Sequence, residues 1–171
     1  MPRNRYLAIL QTLSEHDVEF IVVRGVAAVL NGAPVNTFDL DIVHSTDPEN
    51  VPELLRALDA LNARYRLQPE RMLRPAITHL ASPGHQLLIT DFGPLDVLGA
   101  IGKGRSFKDL LPNTVQLEVR PDLRVRVLDL DTLIAVKEEV GDEKDAAVLP
   151  ILRRTLQEAR QSSKRENQVG S

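Results

Sequence analysis

The sequence predicts an α/β domain of the α+β kind, a mixed β-sheet flanked by helices and followed by further helices at its C-terminal end. Three observations carry this. Phe20 to His44, FIVVRGVAAVLNGAPVNTFDLDIVH, reads as a strand, a glycine turn, a short helix, a glycine and a second strand. Residues 3–15 and 48–65 repeat apolar side chains every three or four positions, the stripe of helices that pack on a sheet. Two apolar runs, Val115 to Val119 and Arg124 to Leu128, flank Pro121-Asp122 as a hairpin.

The 171 residues, 43% of them hydrophobic, suffice for one core and fall short of two ordinary domains. We expect a single domain over 1–160, helical from 131 to 160, and a polar, apolar-poor tail at 161–171 that is disordered. The 21 basic residues against 24 acidic ones leave a net charge of -3, which argues against a protein that holds nucleic acid by bulk positive charge. The absence of cysteine excludes disulfides and thiolate metal sites. Residues 1–17 contain no continuous apolar stretch and nothing later approaches a membrane span, so the expected setting is the cytoplasm.

In chain order, Tyr6, Leu7, Leu10 and Leu13 mark the buried stripe of the first helix. Glu19 to Val23 forms a short strand running into Arg24-Gly25, and Val26 to Leu30 continues as a small helix stopped by Gly32 and Pro34. In Thr37 to Ile42, apolar Phe38, Leu40 and Ile42 alternate with Thr37, Asp39 and Asp41, so both carboxylates leave one face of a strand. Positions i and i+2 lie about 6.5 to 7 Å apart, close enough for two acids to share divalent cations, although acidic pairs also occur on solvated strand edges. Gly25 would let backbone NH groups approach a phosphate. Asp47 is read as the cap of the helix from about Pro48 to Tyr65.

Arg64, Arg66, Arg71 and Arg74 then form a basic run, either a phosphate contact or an ordinary solvated segment. Gln86 to Thr90 and Pro94 to Leu98 are strands joined by Gly93-Pro94, and the second carries a third acid, Asp96. Gly99 to Gly104 reads as flexible and Ser106 to Leu111 as a helical turn. Asp131 is expected to cap the next helix, in which Lys137 falls among Leu133, Ile134 and Val140. It either snorkels outward or meets an anion in a site. Gly141 breaks that helix, and it resumes from Asp145 with a kink or restart at Pro150. His16, His44, His79 and His85 lack zinc-ligand spacing, and no serine sits in a nucleophile elbow.

Gly25, Asp39-Leu40-Asp41 and Asp96 on successive strands resemble the DNA polymerase beta-like nucleotidyltransferase superfamily. The stretches GVAAVLNGAP, TFDLDIV, LLITDFGPLDVL, GRSFKDLL and VRVLDLDTLIAVKEEVGDEKDAAVL look like its small bacterial members of the toxin-antitoxin and abortive-infection kind, over residues 18–156. The resemblance implies a nucleotidyltransferase-like fold and a transferase moving a nucleoside monophosphate from an NTP to an acceptor hydroxyl on RNA or protein. It implies that Asp39, Asp41 and Asp96 are catalytic and hold Mg²⁺ or Mn²⁺. It also implies that Gly25 and Lys137 contact the nucleotide, with Thr37 as a further candidate contact and Arg24 either adding a phosphate contact or blocking nucleotide entry, that Asp145 supports the fold or the site, and that a cognate toxin or antitoxin is a candidate partner. Two positions depart from the family pattern: Arg24 where glycine is usual, and Val35 where an arginine often precedes the acidic strand.

Overall fold

The computed structural model describes residues 2–170. Its elements run α1 (Pro2–Glu15), β1 (Phe20–Val23), α2 (Arg24–Leu30), β2 (Leu40–His44), α3 (Val51–Ala60), β3 (Arg64–Tyr65), α4 (Ile77–Leu80), β4 (His85–Thr90), β5 (Gly93–Leu98), β6 (Ala100–Ile101), β7 (Arg105–Ser106), α5 (Phe107–Leu110), β8 (Thr114–Arg120), β9 (Leu123–Leu128), α6 (Leu130–Val140) and α7 (Glu143–Val169). Seven strands form one mixed sheet in the order β3-β4-β5-β2-β1-β9-β8, and β6 and β7 make a separate ribbon. Residue 145, assigned to site support above, has its side chain outside the described residues, as does 144.

The centre of the sheet is built from the strands with the fewest polar residues. All four residues of β1 and all five of β2 are buried, including Asp41 and His44, which fits strands covered on both sides. β1 runs antiparallel to β2 and parallel to β9, while β2 runs parallel to β5. Leu10 and Leu13 of α1, Leu54 and Leu58 of α3, and Leu40, Ile42, Leu95 and Val97 of the sheet make one continuous core. Asn50 fixes the entry to α3 by bonding the backbone of Glu19 and the Ser45 carbonyl. His44, buried with its Nδ1 on the Ser45 carbonyl, has its pKa lowered by burial, so its neutral form is favoured in the core.

Several sequence expectations are corrected. The acidic strand begins at Leu40 rather than Thr37, because its ladder with β5 begins at Leu40 opposite Leu95. Phe38, read as buried, is 82% exposed. Asp47 does not cap α3, which spans Val51–Ala60 with Asn50 at the N-cap position. Asn62 turns left-handed (φ 54) and releases Arg64-Tyr65 into an edge strand. Residues 99–104 contribute to an ordered ribbon, since Gly99 packs where an added Cβ would lie 2.3 Å from the Ser82 carbonyl oxygen. The N-cap of α6 is Asp129, whose side chain accepts from the Thr132 amide at 2.8 Å, and Asp131 instead pairs with Arg160.

Helix α7 continues to Val169 through the segment expected to be disordered. Residues 157–170 are exposed there, but after Pro150 the run holds no proline or glycine before Gly170, and Gln, Glu, Lys and Arg are adequate helix formers. No described helix is long and apolar enough to cross a membrane.

The two aspartates at the start of α6 separate the structure from the sequence expectation. Asp129→Ala is expected to lower stability by about 1 kcal/mol in urea unfolding, whereas Asp131→Ala should leave the midpoint within error. Equal losses would mean that Asp129 is not the cap.

Candidate active site

The parallel pairing of β2 with β5 sets Asp41 directly opposite Asp96. Both are more than nine-tenths buried, at 7% and 6% exposure. Asp41 Oδ1 is buried with no hydrogen-bond partner. Burial, hydrogen bonding to Asp96 and the Asp96 charge together push the Asp41 carboxyl up to about 8, with Arg24 opposing the shift and Asp39 adding to it. At neutral pH Asp41 therefore holds a proton that it can donate to Asp96. Asp39 stands just ahead of the strand, half-buried, and its charge reaches both Asp41 and Arg66.

Arg66 is the residue that sequence reasoning did not single out. Its backbone NH continues the edge ladder onto the Leu87 carbonyl. Its side chain reaches across β4, where Nη1 donates to the Leu88 carbonyl at 3.1 Å and to Asp96 Oδ1 at 2.6 Å. Bonding to Asp96 holds the guanidinium further into its protonated range. The other arginines of the run go elsewhere: Arg64 to the Asn62 carbonyl, Arg71 to Gln68, and Arg74 to the Asn62 side chain. No local spacing could have separated Arg66 from them, because only the strand order brings residue 66 to residue 96.

On the other flank, Arg24 opens α2 in a left-handed conformation (φ 58), one that a non-glycine residue holds at a cost of roughly 1 kcal/mol or more. The need for Gly25 is steric, since an added Cβ would lie 2.5 Å from Thr37 Oγ1. Thr37 in turn donates to the Asp39 carbonyl at 3.3 Å, tying the turn to the acidic segment. Val35 packs against the core.

Lys137 lines a cavity of about 330 Å³ with Arg24, Gly102, Leu128, Leu133, Val136 and Asp142, so two cations and one acid meet at a recess whose other walls are apolar. Arg105 paired with Glu139 docks the β6–β7 ribbon onto α6 at its edge.

The acids offer only hard carboxylate oxygens, and the unpartnered buried Asp41 Oδ1 is a donor suited to a divalent cation. Their chemistry fits Mg²⁺ or Mn²⁺. Among the described residues, no group of three His, Cys, Asp or Glu side chains already converges on one point, and Asp96 Oδ1 is engaged by Arg66.

No protein-family model matches the chain. No curated protein matches it either. Among solved structures it is similar to a Thermotoga maritima protein with a provisional nucleotidyltransferase assignment, with 92% of this chain and 96% of that one covered, a TM-score of 0.55 and 21% identity. The likeness establishes the nucleotidyltransferase-like fold.

The raised Asp41 pKa carries a sign. Between about pH 4 and pH 8 the folded state keeps a proton that the unfolded chain, with its ordinary carboxyl near 3.8, has released, so this group makes stability fall as pH rises through that window. Asp41→Asn should therefore melt higher than the wild type above pH 8, with the difference shrinking toward pH 4. A difference independent of pH in thermal melts would refute the buried, protonated Asp41.

Proposed function

We propose that the chain is a metal-dependent nucleotidyltransferase that moves a nucleoside monophosphate from an NTP to an acceptor hydroxyl. The observation that carries the reading is the buried Asp41–Asp96 pair with its unpartnered oxygen, next to a recess holding Arg24 and Lys137. Paired carboxylates are costly inside a core and are retained where they meet a cationic ligand.

Asp39, Asp41 and Asp96 would hold Mg²⁺ or Mn²⁺, which when bound neutralises the triphosphate and lowers the pKa of the acceptor hydroxyl. Arg24 and Lys137 bind phosphate oxygens at the apolar recess, where charge is poorly screened and electrostatic stabilisation is strongest. Thr37, packed on Gly25, fixes the turn that carries Arg24 and Asp39. Asp96 orients the acceptor hydroxyl. The hydroxyl oxygen forms the new bond to the α-phosphorus as the bond to the β-phosphate breaks, the hydroxyl proton passes to the Asp96 carboxylate, and pyrophosphate leaves. The acceptor is an RNA end or a protein hydroxyl, and a toxin-antitoxin or phage-defence role follows from the family resemblance.

One observation favours a second reading. The acids are already balanced by this chain itself, through a proton on Asp41 and Arg66 on Asp96, as they would be in an inactive nucleotidyltransferase fold that neutralises a partner protein.

Incubation with each of four α-labelled NTPs and Mg²⁺ or Mn²⁺ in bacterial RNA and protein extracts separates the two. The transferase reading expects label in one acceptor class, falling roughly 100-fold or more in Asp39→Ala. No incorporation with any NTP, or equal incorporation by the variant, would overturn it.

A further inference from the structure

We infer that Arg66 competes with a divalent cation for Asp96 Oδ1, so that this arginine sets the cation affinity of the site. The inference rests on the reading of Asp39, Asp41 and Asp96 as cation ligands and concerns how that site is regulated. Arg66 Nη1 already donates to Asp96 Oδ1 at 2.6 Å, a charge-assisted bond of the short kind, and the side chain of Asp96 is only 9% exposed. A hard divalent cation needs carboxylate oxygen from the same pair of strands. Two positive charges on one buried carboxylate repel each other with little water between them, so gaining one weakens the other.

The placement of Arg66 suits an exchange. It follows the two-residue edge strand β3, at the outer margin of the sheet, and its side chain is 26% exposed. A second bond, to the Leu88 carbonyl at 3.1 Å, tethers the guanidinium over β4, so it can leave Asp96 and remain at the site. Arg64 is anchored on the Asn62 carbonyl and lies 4.0 Å from Asp91, away from the acid pair. It therefore serves as a charge-matched control.

Mn²⁺ binding to the full chain, freed of metal by chelator and titrated by electron paramagnetic resonance, tests the competition without reference to turnover. Arg66→Gln should bind Mn²⁺ roughly tenfold or more tightly than the wild type. Arg66→Lys, which keeps the charge, should stay near the wild type, and Arg64→Gln should change affinity by no more than about twofold. Adding Asp96→Asn to Arg66→Gln should erase the gain. In the wild type, Mg²⁺ titration followed by arginine side-chain ¹⁵N resonances should release the restrained Arg66 guanidinium, a readout that needs no variant to fold. Equal or weaker Mn²⁺ binding by a folded Arg66→Gln, or an Arg66 signal unmoved at saturating Mg²⁺, would overturn the competition and leave the cation site standing. No Mn²⁺ binding by any variant would remove both.

Discussion

Two carboxylic acids facing each other on neighbouring parallel strands, between buried leucine, isoleucine and valine side chains, impose the main constraint on this structure. Asp41 and Asp96 occupy rows flanked by Leu40, Ile42, Leu95 and Val97, all essentially without solvent contact. Neither acid can move without shifting the core, and two bare charges could not remain there. The surroundings compensate in three ways: a proton held by Asp41, the guanidinium of Arg66 on Asp96, and the more distant charge of Arg24.

The same constraint links stability to the proposed chemistry. A core of apolar residues at rows 41 and 96 would be more stable, so the acids represent stability given up in exchange for a charged site. Arg24 repeats the pattern on a smaller scale, a side chain held in a left-handed conformation that glycine would adopt freely. Arg24 and Lys137 line, with Asp142, the recess between the β6–β7 ribbon and α6. Arg24 links this recess to the acids, since its charge acts on Asp41, and the turn that Thr37 and Gly25 hold together carries both Arg24 and Asp39.

Much of this was legible in the sequence because it depends on local period. The acid strand, the late strand carrying Asp96, the hairpin near Pro121 and the helix carrying Lys137 follow from alternation, turn residues and apolar spacing. What was not legible depends on distant partners. Alternation gave Phe38 a buried row, but burial needs a neighbouring strand and the ladder to β5 opens only at Leu40. Asp129 and Asp131 are equally good cap residues in isolation, and the end of β9 at Leu128 decides between them. Arg66 could not be told from Arg64 until the order β3-β4-β5 placed it beside an acid thirty positions away. The steric need for Gly25 was hidden too, because the side chain that a Cβ would strike belongs to Thr37, twelve positions on.

Asp39, Asp41 and Asp96 either act as one cation site, as proposed, or remain a self-compensated core pair. Anomalous diffraction from a crystal grown with Mn²⁺ and an NTP analogue that resists cleavage at the α-phosphorus separates the two directly. A shared cation site gives a manganese peak between the three carboxylates, with the triphosphate directed toward Arg24 and Lys137. A crystal with the nucleotide bound elsewhere, no peak at the acids and Arg66 still on Asp96 would contradict it.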